Sequence, residues 1–425
     1  METLALLGGE PVLRPLLPHY NSIGQDELEG VLDIIKSGTL SGFYGSWGDQ
    51  FLGGPAVRAF EGAWCERFGV NHAISMNSAT SGLFAAMGAI GVAPGDEVIV
   101  PPYTMSATAM APLIYGGIPI FVDIEPDTFC LDPRKVREAI TSKTKAILAV
   151  NLFGHPAPLH ELMEIAREYG LMLIEDNAQG PTAREHGRYA GTIGHMGIFS
   201  LNYHKHIHTG EGGMCVTNDD QLALKLQMIR NHAENIVEHV PVENISNLIG
   251  FNYRMTELSA AVGIAQLKNM DLHVERRKII AQRLTEGIEG MTGLTPPKVR
   301  MGCHHVYYLW ALRVDEDVLG ISRRMFSRAL AAEGFPHFTG YVRPLYMLPL
   351  FQQRIAFGSQ GYPFSLSNVH YRKGLCPVTE LMHEKELLCF ETCLYDIDEQ
   401  KIELLVKALR KVYGNRTKLA NLSEE

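Results

Sequence analysis

Positive charge is in short supply in this 425-residue chain: 38 Lys and Arg stand against 47 Asp and Glu, a formal net charge of −9. Its longest basic run is Arg276-Arg277-Lys278. Nucleic-acid binders carry a basic excess or a basic stripe, so a nucleic-acid partner is not expected. Cysteine is sparse as well. The seven copies are odd in number and scattered, and no CxxC pair occurs. That argues against a disulfide framework and for a reducing, cytoplasmic setting. No apolar run is long enough for a membrane span: the least charged stretch, Ala73–Gly95, is interrupted by Asn77, Ser78, Thr80 and four glycines. The opening Met1-Glu2-Thr3-Leu4 lacks a basic region ahead of its short apolar run, so no signal peptide is expected. Charged residues make up only 20% of the chain, below the ~25% of typical soluble domains. That shortfall implies either a large interior or surface buried against another chain.

What is present is an alternation. Helical patterns at Asp26–Ser37, Ala56–Phe68, Ala79–Ile90, Pro133–Ile140 and Leu159–Tyr169 are interleaved with short apolar runs at Glu97–Val100, Pro119–Val122, Ala146–Asn151 and Met172–Glu175. These runs show no period of two, as expected of strands buried on both faces of a parallel sheet. The spacing therefore predicts an α/β fold of βαβ units, with ligands gathered at the carboxyl ends of the strands. A polar loop, Asn235–Leu248, precedes one long helix from Thr256 to about Glu289. After Thr295-Pro296-Pro297 a smaller α+β pattern follows, with a single strand-like run (Val306–Val314) and helices at Ser322–Glu333 and Gln400–Val412. The polar tail Asn415–Glu425 is expected to fray. The division implied is a large domain over 1–270 and a small one over 271–425.

Four windows stand out, and three of them carry chemistry. Lys205 sits in His204-Lys205-His206-Ile207-His208, just before Gly210-Glu211-Gly212-Gly213, where glycines admit tight turns and close approach of a ligand. Such a lysine can lose its proton and form a Schiff base, or it can simply precede a hairpin at the surface. On a strand, His204, His206 and His208 would share one face, as in some metal sites, or they could be ordinary packing. In Leu173-Ile174-Glu175-Asp176 an apolar strand ends in two carboxylates that alternate in direction. Asp176 could pair with a cationic ring nitrogen or merely cap a helix. Ser75-Met76-Asn77-Ser78-Ala79-Thr80-Ser81 opens a helix whose free amides suit a phosphate, though a plain hydroxyl cap reads the same way. Gly250-Phe251-Asn252-Tyr253-Arg254 precedes the long helix and carries no function on spacing alone.

In this order the windows resemble the DegT/StrS family of sugar aminotransferases, enzymes of fold type I that use pyridoxal 5'-phosphate (PLP). Further matching segments are Ser37-Gly38, Gly54-Pro55, Pro94-Gly95-Asp96-Glu97, Asp123-Ile124-Glu125-Pro126 and Asn151-Leu152-Phe153-Gly154. The resemblance implies a mostly parallel seven-stranded sheet in the large domain and a smaller α+β C-terminal domain. Lys205 matches the lysine that bonds PLP, Asp176 the carboxylate at its ring nitrogen, and Gln179 the amide beside its phenolic oxygen. Ala79, Thr80 and Ser200 match the phosphate cup, and Asn252 an asparagine given to the partner's site in a homodimer. Three departures stand out: Ala79 replaces a usual Gly, Met105 stands where an aromatic ring commonly stacks, and His206 replaces a usual Asn. With Met105 there, Tyr103 becomes an alternative ring. Tyr103, His206 and Arg343 are the candidate substrate residues, the last because a guanidinium fork suits a carboxylate or a phosphate. The expected reaction moves an amino group from glutamate or glutamine to a keto-sugar, a nucleotide-linked keto-sugar or a keto-cyclitol, the C-terminal segments being similar to the cyclitol and amino-benzenoid branch. No metal and no membrane partner is expected. Alternatives are a silent regulatory protein on the same fold and a PLP-dependent sugar dehydratase, although dehydrating members carry His where Lys205 stands.

Overall fold

The computed structural model describes residues 2–14, 17–242 and 244–422. Among them, seven strands build the central sheet: β1 (His72–Met76), β2 (Glu97–Val100), β3 (Ile118–Phe121), β4 (Thr144–Val150), β5 (Met172–Asp176), β6 (Met196–Ser200) and β7 (Gly213–Thr217). Their spatial order is β1-β7-β6-β5-β4-β2-β3. Pairings β3–β2–β4–β5–β6 are parallel, while β7 runs antiparallel to both β6 and β1. Every residue of β2 is buried, as are Ile147, Leu148 and Ala149 of β4, which explains why these runs lack a polar face. The sequence reading omitted β1, β6 and β7. Glycine interrupts β6 and opens β7, and polar residues interrupt β1, all within largely buried segments, so neither alternation nor apolar length marks them.

Helices α1 (Gln25–Ser37), α2 (Pro55–Phe68), α3 (Ala79–Ala89), α4 (Ala107–Leu113), α5 (Pro133–Ala139), α6 (Leu159–Tyr169) and α7 (Asp220–Arg230) accompany the sheet. Trp64 of α2 sets its ring edge-on to Phe199 of β6, 5.2 Å between centroids. Arg230 ends α7 fully buried, its Nη1 bonded to Glu61 Oε1 at 2.6 Å and to the Ser75 carbonyl at 3.1 Å. Glu61 in turn accepts from the amide and hydroxyl of Ser75, both at 2.8 Å, locking α2 onto β1. Neutralising one member of such a pair strands the other charge, so Glu61→Gln is expected to cost about 3–5 kcal/mol in a denaturant titration. A loss under about 1 kcal/mol would show that Arg230 finds another partner.

The expected long helix is two helices, α8 (Glu257–Lys268) and α9 (Met270–Gly287). Asn269 between them sits at φ −95°, ψ 3°. Asn favours caps over helix interiors, and here it breaks the run. The C-terminal part also corrects the reading of one strand. Four strands, β8 (Leu294–Thr295), β9 (Leu309–Val314), β10 (Phe338–Thr339) and β11 (Leu387–Glu391), form an antiparallel sheet in the order β8-β9-β11-β10. Two of them span only two residues, too few to show any period. After α9, the longest helices of this part are α10 (Arg323–Ala332) and α11 (Glu399–Gly414).

The chain's opening segment belongs to this second core. Leu4 and Leu13 are buried with Ile280, Trp310 and Leu409. Glu333 accepts from the amides of Ala5 (2.8 Å) and Val12 (3.1 Å), and Lys411 binds both Glu333 (2.8 Å) and the Glu10 carbonyl (2.7 Å). The tail departs from expectation too. Residues Arg416–Leu419 are helical and Leu419 is 1% exposed, so an apolar anchor holds what its polar composition suggested would fray. Residues 423–425 of that tail lie outside the described residues.

Candidate active site

The carboxyl ends of β4, β5 and β6 and the first turn of α3 surround a cavity of about 210 Å³. Val150, Asp176 and Ser200 are the last residues of their strands, while Ala79 and Thr80 open α3. This is where a parallel sheet collects ligands. Lys205 enters from the loop after β6, Gln179 from the loop after β5, and Tyr308 and Tyr341 from the C-terminal part. Met105 stands at the mouth, 60% exposed.

Asp176 is buried on the floor. Its Oδ2 accepts from the Thr108 hydroxyl at 2.9 Å and its Oδ1 from the Ala178 amide at 3.1 Å. Burial pushes its carboxyl up, while Thr108, the Ala178 amide and the Lys205 ammonium pull the other way. Lys205 has lost most of its water, and that burial lowers its amine to about 8 despite the attraction of Asp176. An amine poised there holds a usable neutral fraction near neutral pH. Its Nζ lies 4.3 Å from the centroid of the Tyr308 ring. Glu175 points to the other side of the sheet, accepting from the amides of Ile193 (2.7 Å) and Gly194 (2.6 Å), so the two adjacent carboxylates have separate duties.

At the other wall, Ser78 caps α3, its Oγ accepting from the Ser81 amide at 3.1 Å. The cap reading is therefore correct, and it leaves the Ala79 and Thr80 amides without helical partners. A side chain at Gly213 would come within 2.5 Å of Ser78 C and 2.6 Å of Ala79 N, so glycine lets β7 press against this turn. Gln179 is held at both ends of its amide: Oε1 accepts from the Phe153 amide at 2.7 Å, and Nε2 donates to the Tyr341 hydroxyl at 2.8 Å. Ser200 Oγ accepts from the Asn202 amide at 3.3 Å.

The structure thus brings Lys205, Asp176, Gln179, Ala79, Thr80, Ser200 and Met105 to one cavity. It does not bring the others. Tyr103 is fully buried behind the wall, edge-on to Tyr341 at 5.9 Å. His206 is also buried off the cavity, bonded through Nε2 to the Val306 carbonyl at 2.9 Å. Arg343 is exposed and does not line the cavity. Asn252 is exposed too, its Oδ1 accepting from Arg254 Nε at 2.8 Å. The histidines lie on a loop, not a strand, and no group of three His, Cys, Asp or Glu among the described residues is placed to hold a metal. Missed by sequence reasoning were Tyr308, Tyr341 and Thr108. Tyr308 stands in the strand-like run Val306–Val314 and Tyr341 two residues before Arg343, but nothing in their spacing ties them to residues more than 100 positions away.

A lysine of lowered basicity, a buried carboxylate and free helix amides around one cavity suit a cofactor with a carbonyl, a cationic ring nitrogen and a phosphate. That set of groups defines a PLP enzyme, and the donors present fit PLP. The profile of the DegT/DnrJ/EryC1/StrS aminotransferase family matches residues 45–387. The chain belongs to that family and is a PLP-dependent aminotransferase. It is 31% identical over 431 residues to the L-glutamine:2-deoxy-scyllo-inosose aminotransferase of Micromonospora echinospora, covering 99% of this chain and 100% of that one. It is 36% identical over 301 residues to the GDP-perosamine synthase of Caulobacter vibrioides, covering 70% and 78%. Among solved structures it is similar to S. venezuelae DesV in complex with a ketimine intermediate, with a TM-score of 0.77, 28% identity and coverage of 91% and 94%. No helix among the described residues is long and apolar enough to cross a membrane.

Proposed function

We propose that the protein transfers an amino group from glutamine or glutamate to the ketone of a cyclitol, and that Lys205 and Asp176 facing one cavity carry the chemistry. Bound PLP supplies the electron sink that makes the α-carbon of an amine acidic. Asp176, fixed by Thr108 and Ala178, is the group to hold a proton on the ring nitrogen. Lys205 is the group to move the proton at the substrate's α-carbon. The first amides of α3 with Thr80 and Ser200 are the phosphate cup, and Gln179, clamped by Phe153 and Tyr341, is the neighbour of the phenolic oxygen. Tyr308 and Tyr341 narrow the cavity, while the exposed side of Met105 leaves the acceptor's entry open.

The preference for a cyclitol rests on the match to the inosose aminotransferase, which runs the whole length and so includes the C-terminal part that lines the cavity. The shorter match to the perosamine synthase leaves nucleotide-linked keto-sugars as the competing acceptors. The remaining elements of the reading are a large domain over 1–270 whose opening segment seats on the small one over 271–425, and a cytoplasmic homodimer in which the exposed Asn252 serves the partner's phosphate cup. Its test is to load the enzyme with an amino group, remove the donor, and offer inososes and nucleotide-linked keto-sugars in parallel. Return of the original cofactor spectrum with inososes supports the reading. Return only with nucleotide-linked sugars overturns the cyclitol assignment.

A further inference from the structure

Lys205 and Tyr308 come from opposite halves of the chain, and their loops are tied together at two points. The Tyr308 ring faces the Lys205 amine at 4.3 Å. The very next residue, His206, donates from Nε2 to the Val306 carbonyl at 2.9 Å. A carbonyl can only accept, so Nε2 carries the hydrogen and the neutral ring is fixed in one tautomer.

Segment 305–308 is itself held at every residue. Val306 N donates to the Gly154 carbonyl at 3.0 Å. Tyr307 adopts φ 50°, a left-handed conformation that a bulky residue keeps only where its surroundings enforce it. Its ring stacks on His305 with centroids 3.9 Å apart. The Thr392 hydroxyl donates to the carbonyls of Tyr307 and Tyr308, the latter at 3.2 Å. A side chain at Gly154 would meet Tyr307 N at 2.9 Å and Tyr308 N at 3.0 Å, so the segment lies directly on the loop after β4. So much fixation around a strained residue serves to aim the one side chain of the segment that enters the cavity, Tyr308.

We propose that Tyr308 is a positioning residue for Lys205: its ring, strapped down by His206 and Thr392, fixes where the amine points and favours its charged form. The proposal rests on the reading of Lys205 as the cofactor lysine. A cation facing an aromatic ring within about 6 Å is attracted by the ring's negative face, most strongly where water is excluded. The other groups facing the amine are Asp176 on β5, Cys393 just beyond β11, and His204 and His206 on its own loop. Asp176 and Cys393 also favour the charged form. Burial pushes His204 down to about 4 and His206 to about 3, and pushes the Tyr308 hydroxyl well up, so none of these three changes charge where Lys205 titrates. Removing the ring should therefore lower the amine's midpoint, and those three groups should not mask the change.

The test is the pH dependence of the rate at which PLP-free protein bonds added PLP, read from the growth of its visible absorbance. Wild type should rise through a midpoint near 8. Tyr308→Phe keeps the ring and should keep that midpoint. Tyr308→Leu should move it down by about half to one pH unit. His206→Leu leaves the ring in place but cuts its tie, and should move the midpoint the same way by a smaller amount; it serves as the second variant if Tyr308→Leu does not fold. A wild-type midpoint in both leucine variants overturns the proposal, and so does a Phe variant shifted as far as the Leu variant. If instead Lys205→Ala bonded PLP as wild type does, the failure would lie in the assignment of the lysine and not in its positioning.

Discussion

Lys205→Ala is expected to lower kcat by on the order of 10⁴-fold or more, because one amine provides both the covalent anchor for PLP and the base that moves the α-proton. The fold should survive. The amine's close neighbour is the Tyr308 ring, and shortening the side chain removes a buried ammonium that the cavity desolvates. Thermal melting should thus stay near wild type while PLP alone raises no lysine-dependent absorbance band. Retention of that band before any amine is added, or turnover within tenfold of wild type, would remove Lys205 from its role. Melting tens of degrees lower would show instead that the loss of activity was a loss of structure.

Asp176→Asn is expected to reduce kcat by roughly 10³-fold while PLP still binds. The substitution keeps the shape and removes the charge. Oδ1 can still accept from the Ala178 amide, and the Thr108 hydroxyl can turn toward Thr104 Oγ1, 3.4 Å away, as the new amide nitrogen takes its place. What is lost is the group that keeps a proton on the ring nitrogen, so the deficit should appear in the α-proton step. A primary isotope effect with α-deuterated donor should grow in the variant. An unchanged isotope effect together with near-normal kcat would mean that Asp176 serves packing alone.

The sheet was legible where helix and strand alternate over long stretches. Val98–Val100 and Met172–Ile174 are unbroken apolar runs, each bounded by a glutamate and flanked by helices, and the buried parallel sheet leaves no other place for them. Strands such as Gly213–Thr217 were not legible, because what buries them is the neighbouring strands and not their own pattern. The same distinction divides the site. Lys205, Asp176 and the Ser78–Thr80 turn announce themselves locally, through glycines, a strand end and a helix start. Tyr308 and Tyr341 reach the cavity only because the C-terminal sheet docks where it does, and Thr108 meets Asp176 only because the start of α4 comes within hydrogen-bonding reach of the end of β5. His206 was legible as unusual, but its use was not: its partner is a backbone carbonyl 100 residues away.

The contacts of Glu333 and Lys411 with the opening segment also impose an order on assembly. Lys411 and the Glu10 carbonyl are 401 residues apart in sequence. During synthesis, the pocket that buries Leu4 and Leu13 does not exist until α10 and α11 have left the ribosome. Those two leucines therefore stay uncovered through most of translation, while the central sheet can already close over its own core. Seating the opening segment is a late step, and a chain stalled before residue 411 would display a greasy, unseated leader that quality-control machinery could grip.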